Sequence, residues 1–409
     1  MNILVMNAGS SSVKFTCMSA RDLSVLASGL VERIGLKGTL FHFHRNRAET
    51  ITKEAAVRNT REAIALINSH LCDPGLGVME TRGDVAAVGH RVVHGGEKIT
   101  APVLIDRRVK SVIRECFGLA PLHNPPNLEG IEACEEAFPG IPQVGVFDTA
   151  FHATMPRHAY LYGLPLELYQ SDRVRRYGFH GTSHKYVSRE AARFLGRNIE
   201  SLKIITCHLG NGCSIAAVNQ GRCVDTSMGF TPLEGLIMGT RCGDLDPAVI
   251  LYLIERKGMT PSEVSELLNK KSGLFGLAAI GSSDLRDVEE KMLEGHPHAQ
   301  AAFEAFCHRI RKYIGAYLAV MGGVDAIVFT AGIGENSARV RASVCEGMEA
   351  LGIVLDVRKN ASSNRSTADV SKAESRVRIL IIPTNEELQI ARETLEVLEA
   401  AQEAGTAMR

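Results

Sequence analysis

Residues 2–12 read NILVMNAGSSS, and residues 203–214 read KIITCHLGNGCS. Each begins with a short apolar run, passes a polar residue and enters a turn of glycine and small polar side chains. A second run follows each turn, Val13–Met18 after the first and Ile215–Val218 after the second. That pattern predicts strand, tight turn and strand. Two such hairpins, roughly 200 residues apart, point to two related halves.

Further strands are predicted at Val85–Gly89, Gln143–Phe147, Asp325–Thr330 and Val377–Ile382. Helical patterns fall between and after them, at Thr60–His70, Asn127–Ala137, His184–Leu195, Pro247–Arg256, Pro261–Asn269, Ala299–Met321 and Thr384–Ala400. Strands interleaved with helices make an α/β chain. The expected first domain covers residues 1–150 and is rejoined by a C-terminal helix over 384–409. The expected second domain covers 151–383.

The chain has 409 residues, 45% hydrophobic and 22% charged, which excludes disorder and coiled coil as its main class. Lys plus Arg and Asp plus Glu both total 46, so the zero net charge argues against a dedicated nucleic-acid binder. No apolar run approaches the ~20 residues of a membrane span. The N-terminus lacks the basic region of a signal peptide. Ten cysteines are scattered without a Cys-x-x-Cys pair, as in a reduced, cytoplasmic protein.

Several nucleotide signatures are missing. There is no Gly-Lys dipeptide and hence no P-loop. Neither His-Arg-Asp nor Asp-Phe-Gly occurs, and no Gly-x-Ser-x-Gly elbow is present. What remains is a set of small polar loops. Asn7–Lys14 offers backbone N–H groups that can cradle an anion, with Lys14 as a mobile cation. His208-Leu209-Gly210-Asn211-Gly212 repeats the design, although taken alone a plain Asn-Gly hairpin is the more ordinary reading. Residues 325–337, DAIVFTAGIGENS, run from a buried strand into a loop where glycines let backbone approach a ligand. Arg91, His180 and Arg241 lie in polar, glycine-containing segments suited to anions. His180 and His184 are four apart, but with no supporting Glu a structural or phosphate-facing role outweighs metal binding. Asp148 follows the strand Gln143–Phe147. Thr384 and Glu387 fit a capping box, which leaves Glu386 free to reach a metal. Asp284-Leu285-Arg286 reads as a helix start, and helix N-termini favour anions.

Taken in order, NAGSSSVKF, GHRVVHGG, LAPLHNPPNLEGI, FDTAFHATMP, RRYGFHGTSH, HLGNGCS, DTSMGFTPLEG, GTRCGDLDP, AGIGENS and PTNEE resemble the acetokinase family of acetate, propionate and butyrate kinases. The resemblance spans residues 2 to 387. It implies a duplicated actin-like ATPase (ribonuclease H-like) fold, two domains around a nucleotide cleft and a homodimer. It also implies reversible phosphoryl transfer from ATP to acetate, giving ADP and acetyl phosphate, with Mg²⁺ (or Mn²⁺). Propionate or another short-chain acid is the alternative acceptor. By resemblance Asn7 and Glu386 match metal positions. Lys14, His208–Gly212, Asp284–Arg286 and Ala331-Gly332-Ile333-Gly334-Glu335 match nucleotide contacts. Arg91 matches the carboxylate holder, Asp148 a catalytic acid residue, and Val93, Leu122 and Pro232 a methyl pocket. Arg91, His180 and Arg241 would donate to the phosphoryl group in transit. A carboxylate is already nucleophilic at neutral pH, so Asp148 is better suited to positioning than to strict general-base work. Ala331 stands where the family often has glycine. No membrane or nucleic-acid partner is implied.

Overall fold

In the computed structural model, residues 1–45, 49–363 and 366–407 are described. They form two compact units. Unit 1 comprises Met1–Phe151 with Asn385–Arg409, and unit 2 comprises His152–Thr384.

Unit 1 carries the strands β1 (Asn2–Ala8), β2 (Ser12–Ser19), β3 (Val25–Glu32), β4 (Leu40–Arg45), β5 (Glu49–Glu54), β6 (Val85–Val92), β7 (Val103–Leu104) and β8 (Gln143–Phe147). Their order in the sheet is β5-β4-β3-β2-β1-β6-β8-β7. Unit 2 carries β9 (Lys203–Leu209), β10 (Cys213–Asn219), β11 (Arg222–Thr226), β12 (Ala326–Thr330), β13 (Ala368–Asp369) and β14 (Arg378–Ile381), ordered β11-β10-β9-β12-β14-β13. The two sheets share one kernel. β1 pairs antiparallel with β2 and parallel with β6, just as β9 pairs antiparallel with β10 and parallel with β12. The two hairpins read from sequence are therefore equivalent elements of a duplicated mixed α/β fold.

The near-continuous apolar runs follow from burial on both faces of these central strands. In β1, Leu4, Met6 and Ala8 enter one core with the helix Thr60–Leu71, while Ile3 and Val5 enter another with Ile390 and Ala391. Those last two residues belong to the helix Glu386–Ala407, which returns to unit 1 and packs on β1, β6 and β8. Its approach to β6 is close: a Cβ on Gly89 would stand 2.3 Å from Thr394 Oγ1. Asn7 shares the face of Val5, and so faces the start of that helix.

Several boundaries differ from expectation. The helix expected from Asn127 begins at Asn124, because Pro125 and Pro126 occupy its first turn, where a missing N–H is harmless. Asp325 lies outside β12; its carboxylate caps β9 by accepting from Lys203 N–H at 2.8 Å. The Thr384/Glu387 capping box does not form. Asn385 Oδ1 accepts from Leu388 N–H at 3.0 Å, Thr384 Oγ1 bonds Ser183 Oγ, and Glu387 pairs with Lys14. A side-chain cap one residue later and an available cation outcompete the box.

Candidate active site

In unit 1 the site is built on the ends of β1, β6 and β8. Arg91, on β6, lies opposite Val146 on β8, and Asp148 follows β8 directly. Arg91 grips Asp148 with two bonds, Nε to Oδ1 at 3.1 Å and Nη2 to Oδ2 at 2.6 Å. Asp148 is only 1% exposed. The guanidinium is held above its ordinary range, chiefly by the Asp148 charge against the cost of burial. Burial pushes the Asp148 carboxyl up, and Arg91 draws it back. The two-pronged geometry is that of guanidinium with carboxylate.

A small cavity of about 10 Å³ next to this pair is lined by Asn7, Lys14, Arg91, Glu386 and Glu387, with Val5 among its apolar walls. Asn7 and Lys14 face each other across the β1–β2 ladder. The amide of Asn7 and the carboxylate of Glu386 thus reach one space from two elements distant in sequence. Among the described residues, no group of three or more His, Cys, Asp or Glu side chains forms a closed metal cage. Two hard oxygen donors in an incomplete shell suit an ion that keeps waters and ligand oxygens, as Mg²⁺ does.

Buried amides hold the neighbouring loop. Asn127 Oδ1 accepts from Val93 N–H at 3.0 Å, and its Nδ2 donates to Ala8 O at 2.7 Å, tying the end of β6 to the end of β1. Asn124 accepts from His94 N–H at 3.1 Å and donates to His94 O at 2.9 Å. These positioning residues sit in LHNPPNLEG, where sequence alone gives them no role. Of the proposed methyl-pocket residues, Val93 is buried and Leu122 is 67% exposed, both in unit 1; Pro232 belongs to unit 2.

In unit 2 three loops far apart in sequence line one cavity of about 560 Å³. Gly210 and Asn211 come from the β9–β10 turn, Asp284, Leu285 and Arg286 from a helix start, and Gly332 and Ile333 from the segment after β12. Asp284 does cap the helix Leu285–Leu293, accepting from Arg286 N–H at 2.9 Å, and pairs with the Arg286 side chain at 2.6 Å. That terminus already carries its own carboxylate, so it suits a hydroxyl donor better than a phosphate. Gly334 and Glu335 are not in the lining. Glu335 Oε1 instead accepts from Ala331 N–H at 2.7 Å and Thr384 N–H at 3.1 Å.

His180 and Arg241 converge on the same turn from another side. A Cβ on Gly212 would stand 3.4 Å from His180 Nε2 and 3.8 Å from Arg241 Nη1. His180 adopts φ 56, left-handed backbone that is uncommon outside glycine and concentrated at functional sites. It precedes the helix Gly181–Phe194, and its ring stacks on His208 at 4.2 Å between centroids. His208 Nδ1 is 2.8 Å from Ser183 Oγ, and Leu209 is buried in the sheet. Arg241 Nη1 donates to Pro232 O at 3.0 Å and makes a longer contact with Met238 Sδ; among the described residues its other N–H groups have no partner. Burial lowers its pKa, leaving it a cation at neutral pH. Cys242 donates to Gly243 O, and burial raises its pKa, so it is a poor nucleophile.

A model of the acetokinase family matches residues 2–392. The chain belongs to the acetokinase family. It is 53% identical over 398 residues to a protein named acetate kinase from Alkaliphilus metalliredigens, covering 97% of this chain and 100% of that one. The crystal structure of Porphyromonas gingivalis acetate kinase superposes with a TM-score of 0.93 at 46% identity, covering 97% of this chain and 99% of that one. A propionate kinase from Francisella tularensis gives a TM-score of 0.89 at 41% identity, covering 96% and 98%. The fold of this acetokinase-family chain is thus the duplicated actin-like α/β fold that the family resemblance implies, and its two hairpins mark the two halves.

Proposed function

We propose that the chain transfers the γ-phosphoryl group of ATP reversibly to acetate, giving acetyl phosphate and ADP. Supporting this reading most directly is the convergence of three glycine- and polar-rich loops on one nucleotide-sized cavity, in a chain that belongs to a family of carboxylate kinases. Gly210, Asn211, Gly332 and Ile333 present backbone to the nucleotide, and Asp284 accepts from a sugar hydroxyl.

Acetate is ionised at neutral pH and needs no base. Asp148 therefore keeps Arg91 charged and aimed, and Arg91 holds the acetate carboxylate. Arg91, His180 and Arg241 donate to phosphoryl oxygens, stabilising charge as it spreads in the transition state. Asn7 and Glu386 would hold Mg²⁺, with Lys14 adding positive charge nearby. When bound, the ion neutralises phosphate charge. Val93, Leu122 and Pro232 shape the acyl end. One extra methylene is worth ~1–3 kcal/mol in an apolar pocket, so propionate is used about 10–200-fold less efficiently.

A homodimer in the cytoplasm completes the proposal. In the helix Pro247–Lys257 no residue is fully buried, and Val249, Leu251 and Tyr252 are exposed, which suits a second copy. Among the described residues no helix is long and apolar enough to cross a membrane.

The test is ATP-dependent hydroxamate formation in hydroxylamine with acetate, propionate or butyrate. Acetate is expected to give the highest kcat/KM. Phosphate release without hydroxamate would refute acyl transfer, and equal efficiency with propionate would refute the acetate assignment.

A further inference from the structure

Ser214 lies in β10, fully buried, with its hydroxyl between two imidazoles. It is 2.9 Å from His180 Nδ1 and 2.7 Å from His184 Nε2. His184 extends the chain, with Nδ1 at 2.7 Å from Thr206 Oγ1. Thr206 Oγ1 in turn donates to Ala216 O at 3.4 Å. His184, Ser214 and Thr206 are each completely buried, so water does not interrupt the series.

Counting donors gives the series a direction. A backbone carbonyl only accepts. The direction we assign gives the Thr206 hydroxyl proton to Ala216 O, so that Thr206 accepts from His184 Nδ1–H. Burial holds the pKa of His184 well below the ordinary histidine range, so the ring is neutral and its Nε2 accepts. Ser214 then gives its proton to His184 and accepts from His180 Nδ1–H.

We propose that Ser214, oriented by His184 and Thr206, is a positioning residue that locks the neutral His180 ring with its proton on Nδ1. Nε2 is the ring nitrogen beside Gly212 and Arg241. With the lock in place, Nε2 accepts when the ring is neutral and donates to a phosphoryl oxygen only when the ring is an imidazolium. Within the unit, titratable groups near His180 include His184, reached through Ser214, the stacked His208 and, across Gly212, Arg241. The guanidinium opposes a second positive charge, and an anionic phosphoryl group offsets that opposition. The catalytic consequence rests on the reading of His180 as a phosphoryl donor given above; the tautomer does not.

The experiment is ¹⁵N NMR of the imidazole nitrogens in the intact chain above neutral pH, with His180 assigned by its loss in His180→Ala. The lock predicts Nδ1–H for neutral His180 in the wild type. Ser214→Ala shifts the ring towards Nε2–H, and Ser214→Thr, which keeps the hydroxyl, restores Nδ1–H. In kinetics, the alkaline limb of the pH–kcat profile separates the two tautomers. Ser214→Ala is slower at its optimum but has a flatter alkaline limb, because a neutral ring can then donate through Nε2. Should Ser214→Ala not fold, Thr206→Val and its control Thr206→Ser probe the far end of the same series. Neutral wild-type His180 carrying its proton on Nε2 overturns the proposal, whether or not the chain makes acetyl phosphate. So does an unchanged tautomer in folded Ser214→Ala.

Discussion

Asp148→Asn separates a positioning carboxylate from a general base. The side chain is 1% exposed and accepts two bonds from Arg91, at 2.6 and 3.1 Å. An asparagine keeps one acceptor and turns its NH₂ towards a guanidinium that can only donate. Removing one partner of a buried ion pair costs roughly 3–5 kcal/mol. The Arg91 side chain is 22% exposed and can recover some hydration, which selects the lower end, about 3 kcal/mol. For a unit of this size that is a fall in melting temperature of about 6–12 °C. Catalysis suffers because Arg91 is no longer aimed. Loss of one well-placed donor to developing charge lowers kcat by about 10²–10³-fold. The drop should be uniform across pH 6 to 8.5, since acetate supplies its own nucleophilic oxygen. Hydroxamate assays across that range, beside thermal unfolding, provide the readout. An unchanged melting temperature together with loss of one limb of the pH–rate profile would refute positioning and restore general-base catalysis.

Arg241→Ala should fold and lose about 10²–10⁵-fold in turnover, the range for a missing transition-state cation; a near-normal rate in folded protein would remove Arg241 from the chemistry. Ala331 adopts φ 64, a left-handed backbone costing ~1–2 kcal/mol outside glycine. Ala331→Gly relieves that strain at an unfolded-state cost of ~0.5–1 kcal/mol, so a net gain of about 0.5–1 kcal/mol is expected in urea unfolding, and a loss would contradict it. Burial holds His90 and His152 at a pKa of about 4, below the ordinary 6.5. The unfolded chain therefore binds the extra protons, and stability falls as pH drops from about 6.5 towards 4, by up to roughly 3 kcal/mol for each histidine. Calorimetry should show the melting temperature declining over that window; a flat profile would mean that these rings charge freely in the folded state.

The duplicated kernel was legible because β1 and β9 are buried on both faces, which forces near-continuous apolar runs, and because each ends in a glycine-containing turn. The strand β4 is hard to read because it buries one face only, and β5 because residues 50–54 are exposed apart from the half-buried Ile51. In LFHFHR, Phe41 and Phe43 enter the core while His42 and His44 do not, so no apolar run marks the strand. The functional loops could be read as anion-friendly backbone, yet which loops share a cavity depends on folding that brings residues 210, 285 and 332 together. The buried polar network was the least legible part. Asn127, Ser214 and Thr206 carry no sequence signal, since each acts through a partner on another element that only the folded chain brings near. Thr384 and Glu387 show the converse: a convincing local motif lost to Asn385 and to Lys14, which lies 373 positions before Glu387 in the chain.

The central claim is that the oxygen attacking the γ-phosphorus comes from the carboxylate. Acetate labelled with ¹⁸O in both carboxyl positions, incubated with the chain, ATP and Mg²⁺ and followed by ³¹P NMR, tests it directly. Acetyl phosphate whose phosphorus signal shows one attached ¹⁸O is the predicted product. Acetyl phosphate with no ¹⁸O attached to phosphorus, or orthophosphate alone, would contradict it.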